Sequence, residues 1–350
     1  MIPSCKVVIG DCREELLKLP AGSAHCCVTS PPYYGLRDYG VDGQLGLEAT
    51  PAEYLLGLVE VFRAVRRVLR DDGTLWVNMG DSYAGSWGAQ GRTNGGGTYN
   101  KSKISASQID AHPKKTTNTG SIRQTGLKPK DMMGMPWALA FALRADGWYL
   151  RRDIIWHKPN PMPESCTDRP TTSHEYIFML SKRAKKYYYD ADAIAEPMAF
   201  SSEERLAQDV EAQHGSDRAN GGTKTNGRMK AVGRKKPATP HRPQTDLWDH
   251  RSRHDQGCGM RNKRSVWTIP VGRFKGSHFA VFPPELIEPC VLAGCPMGGI
   301  VLDPFGGSGT TAEVAMKHGR NAVLIELNPE YSKLIDGRLA RNGGQGVMAL

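Results

Sequence analysis

Short apolar runs alternate with amphipathic helical patterns along most of the chain. Between residues 52 and 69, for instance, Leu55, Leu58, Phe62 and Val65 recur three or four positions apart, which places them on one face of a helix. Alternation of this kind is typical of an α/β fold built around a mostly parallel sheet. We predict strands at residues 7–9, 24–29, 74–79, 149–156, 176–181, 299–302 and 322–327, and helices at residues 52–69, 137–145, 284–292, 310–318 and 329–339.

Two long segments interrupt this alternation, and both are polar and basic. Residues 84–130 are rich in Gly, Ser, Thr and Asn and hold eight Lys and Arg residues against one Asp. Residues 196–277 hold sixteen basic and nine acidic residues, although the net charge of the whole chain is only +10. Loops of this length inside a compact domain are usually functional or disordered. Their charge fits a polyanionic partner, and equally two solvated surface loops.

The composition narrows the class of protein. Hydrophobic residues make up 39% of the 350 residues, which is enough for a buried core and too many for a disordered polyelectrolyte. No apolar run approaches the roughly 18 residues that span a bilayer, and the first residues lack the pattern of a secretory signal. The eight cysteines include no Cys-x-x-Cys pair. We therefore expect reduced, mostly buried thiols in a cytoplasmic protein.

A glycine-rich turn, DPFGGSGT (residues 303–310), separates a predicted strand from a predicted helix. Its three glycines let the backbone approach a ligand closely, and the start of the helix offers unpaired N–H groups. The next strand ends near Glu326, whose carboxylate can accept hydrogen bonds from two ribose hydroxyls. The turn lacks the lysine of a phosphate loop and the spacing of a dinucleotide fingerprint. It predicts a nucleoside-binding half, or else a tight turn with an unrelated exposed acid.

A second turn, Ser30-Pro31-Pro32-Tyr33, follows the strand predicted at residues 24–29. Each proline fixes its own φ and restricts the residue before it, so the backbone of this turn is rigid. We expect the Ser30 hydroxyl and the Pro31 carbonyl to point at one spot, with the Tyr33 ring beside it. Two acceptors and a stacking surface suit a planar group with an amino substituent, such as a nucleobase amine. A Pro-Pro-Tyr turn is also common in ordinary loops.

Together, VTSPPYYGLRDYG (residues 28–40) and DPFGGSGTT (residues 303–311) resemble the amino-methyltransferases of DNA. The resemblance covers most of the chain outside the two basic segments. The catalytic turn precedes the cofactor turn, as in the β group, which is a circular permutation of the common methyltransferase order. The resemblance implies a Rossmann-like methyltransferase sheet with helices on both faces, and S-adenosyl-L-methionine as the cofactor. Further matches are GDC (10–12), LWVNMGDSY (75–83), WHKP (156–159) and HFAVFPPELI (278–287).

The resemblance also implies roles for individual residues. Ser30, Pro31, Pro32 and Tyr33 would hold the flipped base, and Glu326 would bind the cofactor's ribose. Serine is commoner at the first of these positions in cytosine-N4 enzymes than in adenine enzymes, which usually carry Asp or Asn, so cytosine N4 is favoured over adenine N6. The other expected cofactor residues are Asp11 and Cys12 at the adenine, Phe279 and Pro283 packed on the cofactor, and Asp303, Pro304, Phe305, Gly306, Gly307, Ser308, Gly309 and Thr310 at the methionine part.

The same resemblance divides the chain and suggests its partners. Double-stranded DNA is the expected partner and a membrane is not, in a protein of bacterial or phage origin. A cognate restriction endonuclease, and a monomeric or a homodimeric state, stay open. The expected division is a catalytic half at residues 1–83, a basic glycine-rich loop insertion at 84–130, a continuation of the methyltransferase domain at 131–195, a target-recognition insertion at 196–277, and a cofactor-binding half at 278–350.

Several alternatives compete with this interpretation. Related Pro-Pro-Tyr turns also serve in methylation of RNA or of a protein glutamine, but the β order and the basic insertions favour duplex DNA. A non-catalytic DNA-binding protein is disfavoured because both turns are intact. His250, His254 and Cys258 have four-residue spacing, but three soft ligands in a basic stretch do not predict a metal site. Asp81 follows a predicted strand, where it could contact cofactor or base. Cys26 and Cys27 are expected to pack in a strand rather than to act as nucleophiles.

Overall fold

A computed structural model describes most of the chain outside the two basic segments. The described residues are 2–36, 38–84, 127–128, 130–197, 260–272 and 282–341, with the backbone of 216–218, 222–224 and 347–349. Most of both basic segments, and with them His250, His254 and Cys258, lies outside this part of the chain. Phe279 lies outside it as well.

The described residues form thirteen strands and six helices, and the seven strands and five helices predicted from the sequence are all among them. The strands are β1 (Cys5–Ile9), β2 (Ala24–Thr29), β3 (Leu69–Met79), β4 (Tyr149–His157), β5 (His174–Ser181), β6 (Glu196–Pro197), β7 (Ser216–Arg218), β8 (Gly222–Lys224), β9 (Met260–Arg261), β10 (Val266–Thr268), β11 (Ile300–Asp303), β12 (Asn321–Glu326) and β13 (Val347–Ala349). The helices are α1 (Cys12–Lys18), α2 (Pro51–Val68), α3 (Met135–Ala145), α4 (Pro284–Gly294), α5 (Thr310–Lys317) and α6 (Pro329–Arg341).

Nine of these strands form one sheet in the order β10-β4-β5-β3-β2-β11-β12-β1-β13. Neighbouring strands are parallel except that β5 runs antiparallel to both β3 and β4. The strand β2 pairs with β11, although more than 270 residues separate Cys27 from its partner Leu302. The carboxyl ends of β1, β2, β11 and β12 therefore meet at one edge of the sheet, where ligands of open α/β sheets bind.

The sheet is buried on both faces by helices. On one face α1, α2 and α3 pack with Leu16, Phe62 and Leu139, and on the other α4, α5 and α6 enclose a second cluster. Successive residues of β3 point to opposite faces, so that Leu75 belongs to the first cluster and Trp76 to the second. This double coverage explains why the strands are continuous apolar runs rather than alternating ones. The doubly covered α/β sheet that the sequence predicted is confirmed.

The sequence did not predict the helix α1 or the short strands β6 to β10 and β13. The helix α1 is only seven residues long, too short to show a clear period, and β10 is a three-residue strand at the edge of the sheet. The helix α2 begins with a capping box between Thr50 and Glu53, with Pro51 in the first turn, as its sequence allows. Across the described residues, no helix combines the length and the hydropathy needed to cross a bilayer.

Candidate active site

An open cleft of about 940 Å³ lies at the sheet edge where β1, β2, β11 and β12 end. That volume includes the solvent space at the open mouth of the cleft. Both predicted turns contribute to its walls, so the structure brings the Ser30 turn and the Gly307 turn together. The predicted site residues that line the cleft are Asp11, Cys12, Ser30, Pro32, Asp303, Pro304, Phe305, Gly306, Gly307, Ser308, Thr310 and Glu326.

The remaining predicted residues lie elsewhere. Pro31, Tyr33 and Gly309 do not line the cleft, although each belongs to a turn that does. Pro283 caps the start of α4, and its neighbour Phe282 lines the cleft instead. Phe279 lies outside the described residues. Cleft residues that the sequence analysis did not single out include Tyr39, Leu45, Leu327, Asn328 and Tyr331.

The glycine turn lies so close to β12 that a side chain at its first glycine would be crowded. The Gly306 N–H donates to the Ile325 carbonyl at 2.8 Å. A Cβ atom on Gly306 would lie 3.1 Å from the Leu324 Cβ and 3.2 Å from the Ile325 carbonyl oxygen. Gly309 has a φ of 81°, a left-handed conformation that residues with side chains rarely adopt. The turn therefore runs directly against the sheet, and the cleft stays open above it.

Asp303, at the end of β11, links the two turns. Its carboxylate accepts hydrogen bonds from the Thr29 hydroxyl at 2.6 Å, the Thr311 hydroxyl at 2.6 Å and the Phe305 N–H at 3.0 Å. The residue is 1% exposed, and burial raises its pKa to about 6 although these three donors oppose the rise. Since Thr29 directly precedes Ser30, the carboxylate sets the position of the Ser-Pro-Pro-Tyr turn relative to the glycine turn.

Glu326, at the end of β12, holds the other side of the glycine turn. One carboxylate oxygen accepts the Gly307 N–H at 2.7 Å, and the other accepts the Asn328 N–H at 2.8 Å. Burial raises the pKa of Glu326 to about 7, and the two N–H donors oppose that rise. A carboxylate oxygen can accept more than one hydrogen bond. The geometry therefore leaves acceptor capacity for hydroxyl groups of a ligand in the cleft.

Asp11 and Cys12 form the third wall of the cleft, where β1 passes into α1. The Asp11 carboxylate caps α1 by accepting the Arg13 N–H at 2.9 Å, and it also pairs with the Arg13 side chain. Burial opposes ionisation of Asp11, but these hydrogen bonds outweigh it and lower the pKa. Burial raises the pKa of the Cys12 thiol to about 12. Cys12 therefore presents a neutral thiol to the cleft.

The Ser-Pro-Pro-Tyr turn is held from behind by α2 and by a neighbouring loop. The Tyr54 hydroxyl, on α2, donates to the Pro32 carbonyl at 2.7 Å. The loop approaches at Gly46, where a Cβ atom would lie 3.1 Å from the Tyr33 carbonyl oxygen. Ser30 is half-buried at the cleft, whereas Pro31 is buried. The rigid conformation expected from the prolines is thus supported by tertiary contacts.

A polar cluster lies behind Tyr33, and the sequence analysis assigned no role to its other members. The Tyr33 hydroxyl donates to the Glu175 carboxylate at 2.8 Å, and Lys158 forms an ion pair with the same carboxylate. The Asn78 amide donates to Glu175 at 3.3 Å. Lys158 directly follows β4, whose carboxyl end lies at the same sheet edge as the cleft. A charged residue at such a strand end was the signal that could have indicated this cluster.

Asp81 has a different role from the one that the sequence suggested. Its carboxylate accepts the N–H groups of Gly134 at 3.0 Å and Met135 at 3.1 Å, at the start of α3. It also accepts the N–H of Ser82, and it does not line the cleft. The first N–H groups of a helix lack partners within the helix, so a carboxylate here stabilises it. Asp81 is therefore a helix cap rather than a ligand of the cleft.

In each basic segment, hydrogen bonds within the described part of the chain join the first residues to residues farther along the same segment. Ala84 and Lys130 are joined by a backbone hydrogen bond, and Ala84 also donates to Asp131, so the first segment starts and ends at one point. The second segment is closed by pairing of β6 with β9, where Glu196 lies opposite Arg261 and forms an ion pair with it. The first segment is therefore an excursion from the main sheet, and so is the part of the second between β6 and β9, whereas β10 near its end pairs with β4 in the main sheet.

Cys26 and Cys27 pack inside the sheet, as the sequence predicted. Cys26 and Cys27 are fully buried in β2, and burial raises the pKa of both thiols well above the usual value. Within the described ranges, no three His, Cys, Asp or Glu side chains are arranged to hold a metal ion. The stretch with His250, His254 and Cys258 lies outside those ranges.

The permuted sheet and its cleft define the class of protein. The cleft joins a glycine turn after β11, an acid after β12 and a Ser-Pro-Pro-Tyr turn after β2, and this is the arrangement of a Rossmann-like methyltransferase with permuted motif order. The family model described as "DNA methylase" for N6 and N4 methyltransferases matches residues 24–336. The chain belongs to this DNA methylase family, as its sequence had indicated.

Individual relatives agree with this assignment. The chain is 44% identical over 338 residues to the Type II methyltransferase M.SmaI of Serratia marcescens, covering 97% of this chain and 91% of the relative. In fold it is similar to the cytosine-N4-specific PvuII DNA methyltransferase, with a TM-score of 0.55, 16% identity, and coverage of 99% and 97% of the two chains. It is also similar to TTHA0409 of Thermus thermophilus in complex with S-adenosyl-L-methionine, with a TM-score of 0.52, 23% identity and 99% coverage of both chains.

Proposed function

We propose that this chain transfers the methyl group of S-adenosyl-L-methionine to the exocyclic amine of a base flipped out of double-stranded DNA, at cytosine N4. The observation that carries the proposal is the 2.6 Å hydrogen bond between Thr29 and Asp303, which holds the Ser30 turn against the glycine turn. An acceptor for an amine and a nucleoside-binding turn thereby share one cleft. Membership of the DNA methylase family supports DNA as the substrate.

The cleft residues suit the cofactor in charge and shape. Glu326 would accept hydrogen bonds from the ribose hydroxyls, and Asp11 and Cys12 would contact the adenine. The glycine turn would hold the methionine part, with its backbone close to the ligand because residues 306, 307 and 309 lack side chains. When bound, the cofactor supplies an electrophilic methyl group on a positively charged sulfur. Predominantly apolar walls around a few fixed polar groups are usual for such sites.

Ser30 and its turn would prepare the amine for direct transfer. The amine lone pair is delocalised into the base ring, so the nitrogen is a weak nucleophile. The Ser30 hydroxyl and the Pro31 carbonyl would accept the amine hydrogens, which localises the lone pair and directs it towards the methyl group, while the Tyr33 ring stacks on the base. Positioning and fixed dipoles would supply most of the rate acceleration. Direct transfer requires no covalent enzyme intermediate, consistent with the buried neutral thiols of Cys26 and Cys27.

The two basic segments would bind the DNA. Flipping the base costs a few kcal/mol of unstacking, which contacts elsewhere must offset. Lysines and arginines of residues 84–130 and 196–277 would bind phosphates, and part of the second segment would read base edges. The hydrogen bond between Lys130 and Ala84 brings the ends of the first segment together, and the pairing of β6 with β9 closes most of the second, which supports treating both segments as insertions into one methyltransferase domain. A restriction endonuclease that shares the recognition site would be the expected companion of a Type II methyltransferase.

Ser30 is the reason for favouring cytosine over adenine. Adenine enzymes usually carry Asp or Asn at this position, whose larger acceptor groups reach further into the site. A serine hydroxyl is shorter, and serine at this position is commoner in cytosine-N4 enzymes. Adenine N6 is the alternative, because the amine chemistry of the two bases is the same.

One experiment separates these outcomes. The purified protein is mixed with radiolabelled cofactor and genomic duplex DNA, and the DNA is then digested to nucleosides. Label in N4-methylcytosine supports the proposal, and label only in N6-methyladenine replaces it with the adenine alternative. Label that goes to RNA or protein instead of DNA would refute DNA as the substrate. DNA binding without any transfer would indicate a non-catalytic protein.

A further inference from the structure

The cluster behind the catalytic turn forms a continuous chain of hydrogen bonds that starts at Ser30. The Ser30 hydroxyl donates to the Tyr33 hydroxyl at 3.5 Å, and Tyr33 donates to a Glu175 oxygen at 2.8 Å. The alternative acceptor for Tyr33, the side-chain oxygen of Asn78, is more distant at 3.3 Å. The other Glu175 oxygen accepts a hydrogen bond from Lys158. The hydroxyls therefore donate in one direction, from the cleft towards a carboxylate.

The far end of this chain is tightly enclosed. The side chains of Lys158 and Glu175 are each only 17% exposed, and the Lys158 ammonium lies 4.4 Å from the centre of the Trp156 ring. Gly80, just after β3, packs directly against the hydrogen-bonded side chains, because a Cβ atom there would lie 2.9 Å from Tyr33 Cε2 and 3.1 Å from Glu175 Cδ. A charged pair is costly to remove from water and is kept only with good geometry. Its position against the catalytic turn points to a role in the reaction.

We propose that Glu175 is a positioning residue for methyl transfer, which orders the Tyr33 and Ser30 hydroxyls and receives through them the proton that the target amine releases. Because the Ser30 proton points to Tyr33, the Ser30 oxygen presents its lone pairs to the cleft and accepts from the amine. The ion pair with Lys158 holds the Glu175 carboxylate in place. This inference rests on the proposed function and extends it to residues outside the cleft.

The proton balance of this step is complete without a further reactant. The amine nitrogen uses its lone pair to bond to the methyl carbon, and the resulting cationic amine loses one N–H proton while its nitrogen keeps the bonding electrons. That proton bonds to Ser30 Oγ, the former Ser30 proton passes to Tyr33 Oη, and the former Tyr33 proton passes to Glu175. Hydrogen bonds of catalytic chains are often long in free enzymes and shorten with substrate, which accommodates the 3.5 Å step.

The test measures single-turnover methylation of duplex DNA, cofactor affinity by calorimetry, and the melting temperature. Glu175→Gln removes the charge and Tyr33→Phe removes only the hydroxyl. We expect each to slow transfer by about 100-fold, within the range of acid–base contributions, with cofactor affinity unchanged within about twofold. The double variant should be no slower than the slower single variant, because both changes break the same chain.

Two further variants distinguish this role from a merely structural one. Glu175→Gln leaves the Lys158 charge without its partner and lowers the melting temperature; adding Lys158→Met should restore the melting temperature but not the rate. Glu288→Gln is the matched control, because Glu288 forms an ion pair with Lys317 and contacts His318 on the opposite face of the sheet, so this variant should transfer at the wild-type rate.

Several results would overturn the inference. One is a wild-type transfer rate in Glu175→Gln or in Tyr33→Phe. Another is a double variant in which the two rate losses multiply. The third is recovery of the transfer rate together with the melting temperature when Lys158→Met is added to Glu175→Gln. If the Glu175 variant does not fold, the transfer rate of Tyr33→Phe by itself tests the inference, because this change removes the hydroxyl and keeps the aromatic ring. A wild-type protein that transfers no methyl group to DNA would instead refute the proposed function, and this inference with it.

Discussion

The hydroxyl of Thr29 and the carboxylate of Asp303 are 274 residues apart in sequence and 2.6 Å apart in the fold. Thr29 ends the strand that carries Ser30, and Asp303 ends the strand that carries the glycine turn. A hydrogen bond between a buried carboxylate and a hydroxyl is short and strong when its donor has no competing water. The contact therefore sets the separation between the Ser-Pro-Pro-Tyr turn and the glycine turn.

Replacing Thr29 with valine should test that relationship. Thr29→Val keeps the shape but leaves a buried carboxylate oxygen short of one donor, so we expect a loss of about 1–3 kcal/mol in the free energy of unfolding. The catalytic turn should also shift, slowing transfer by about 10-fold. Thr311→Val is the matched control, because it removes the other hydroxyl on Asp303 and loses only a long 3.5 Å hydrogen bond to the Val28 carbonyl in the strand of Ser30. Equal rate losses in both variants, measured by single-turnover methylation, would contradict the positioning role of Thr29.

Cofactor affinity should increase with pH near neutrality. Glu326 has a pKa raised to about 7, so its ionised fraction grows from about a tenth at pH 6 to about nine tenths at pH 8. Ribose hydroxyls donate more strongly to the ionised carboxylate, so the affinity measured by calorimetry should rise across this range by up to about 10-fold. Glu326→Gln should bind the cofactor more weakly. Its affinity should lack the pH dependence that comes from Glu326 and keep the part that comes from titration of the cofactor itself. Identical pH profiles for the two proteins would refute this role of Glu326.

The same raised pKa predicts a pH dependence of folding stability. Glu326 binds its proton more tightly in the folded chain than in the unfolded chain, so its contribution to stability is greatest at low pH. That contribution should decrease as the pH rises from the ordinary glutamate value of 4.5 to about 7. The measurement is urea unfolding of wild type and Glu326→Gln across this range. The wild type should lose stability relative to the variant as the pH rises, and the opposite slope would contradict burial as the cause of the shift.

Gly306→Ala should impair the cofactor turn. The added Cβ would meet the Leu324 Cβ and the Ile325 carbonyl, and backbone atoms of a central strand cannot move aside cheaply. We expect a loss of about 1–3 kcal/mol in the free energy of unfolding and weaker cofactor binding. Gly337→Ala in α6 is the control, since nothing lies within 4 Å of its added Cβ and alanine favours a helix by about 0.5–1 kcal/mol. Unchanged cofactor affinity in Gly306→Ala would show that the turn tolerates displacement.

DNA affinity should fall steeply with added salt. Each phosphate that a lysine or arginine neutralises releases a condensed counterion, so the logarithm of the affinity decreases linearly with that of the salt concentration. Replacing the Lys and Arg residues of the segment 84–130 with glutamine should reduce the slope. Cofactor affinity in the same buffers serves as the control and should change little. A flat salt titration of DNA binding would argue against the basic segments as the DNA surface.

The sequence revealed both turns because their chemistry is local. Two consecutive prolines make a turn rigid wherever it lies, and the run of glycines in residues 303–310 is recognisable without any partner. Tertiary partners were not recognisable in this way. Asp81 follows a strand just as Asp303 does, yet it caps α3, because the chain brings Gly134 and Met135 to it from more than 50 residues away. The sequence also did not show that Phe282, rather than its neighbour Pro283, faces the cleft. Which of two adjacent side chains faces the cleft depends on how the start of α4 packs in the fold.

The amino-acid order by itself determined the apolar strands, the two rigid turns, their permuted order and the charge of the two insertions. These depend on neighbours a few residues apart, which the sequence displays directly. Only the tertiary structure decided that Asp303 joins the turns, that Glu326 is buried with a raised pKa, and that Lys158 and Glu175 lie behind Tyr33. Burial and long-range pairing arise when distant strands become neighbours in one sheet, and no local pattern of residues encodes that adjacency.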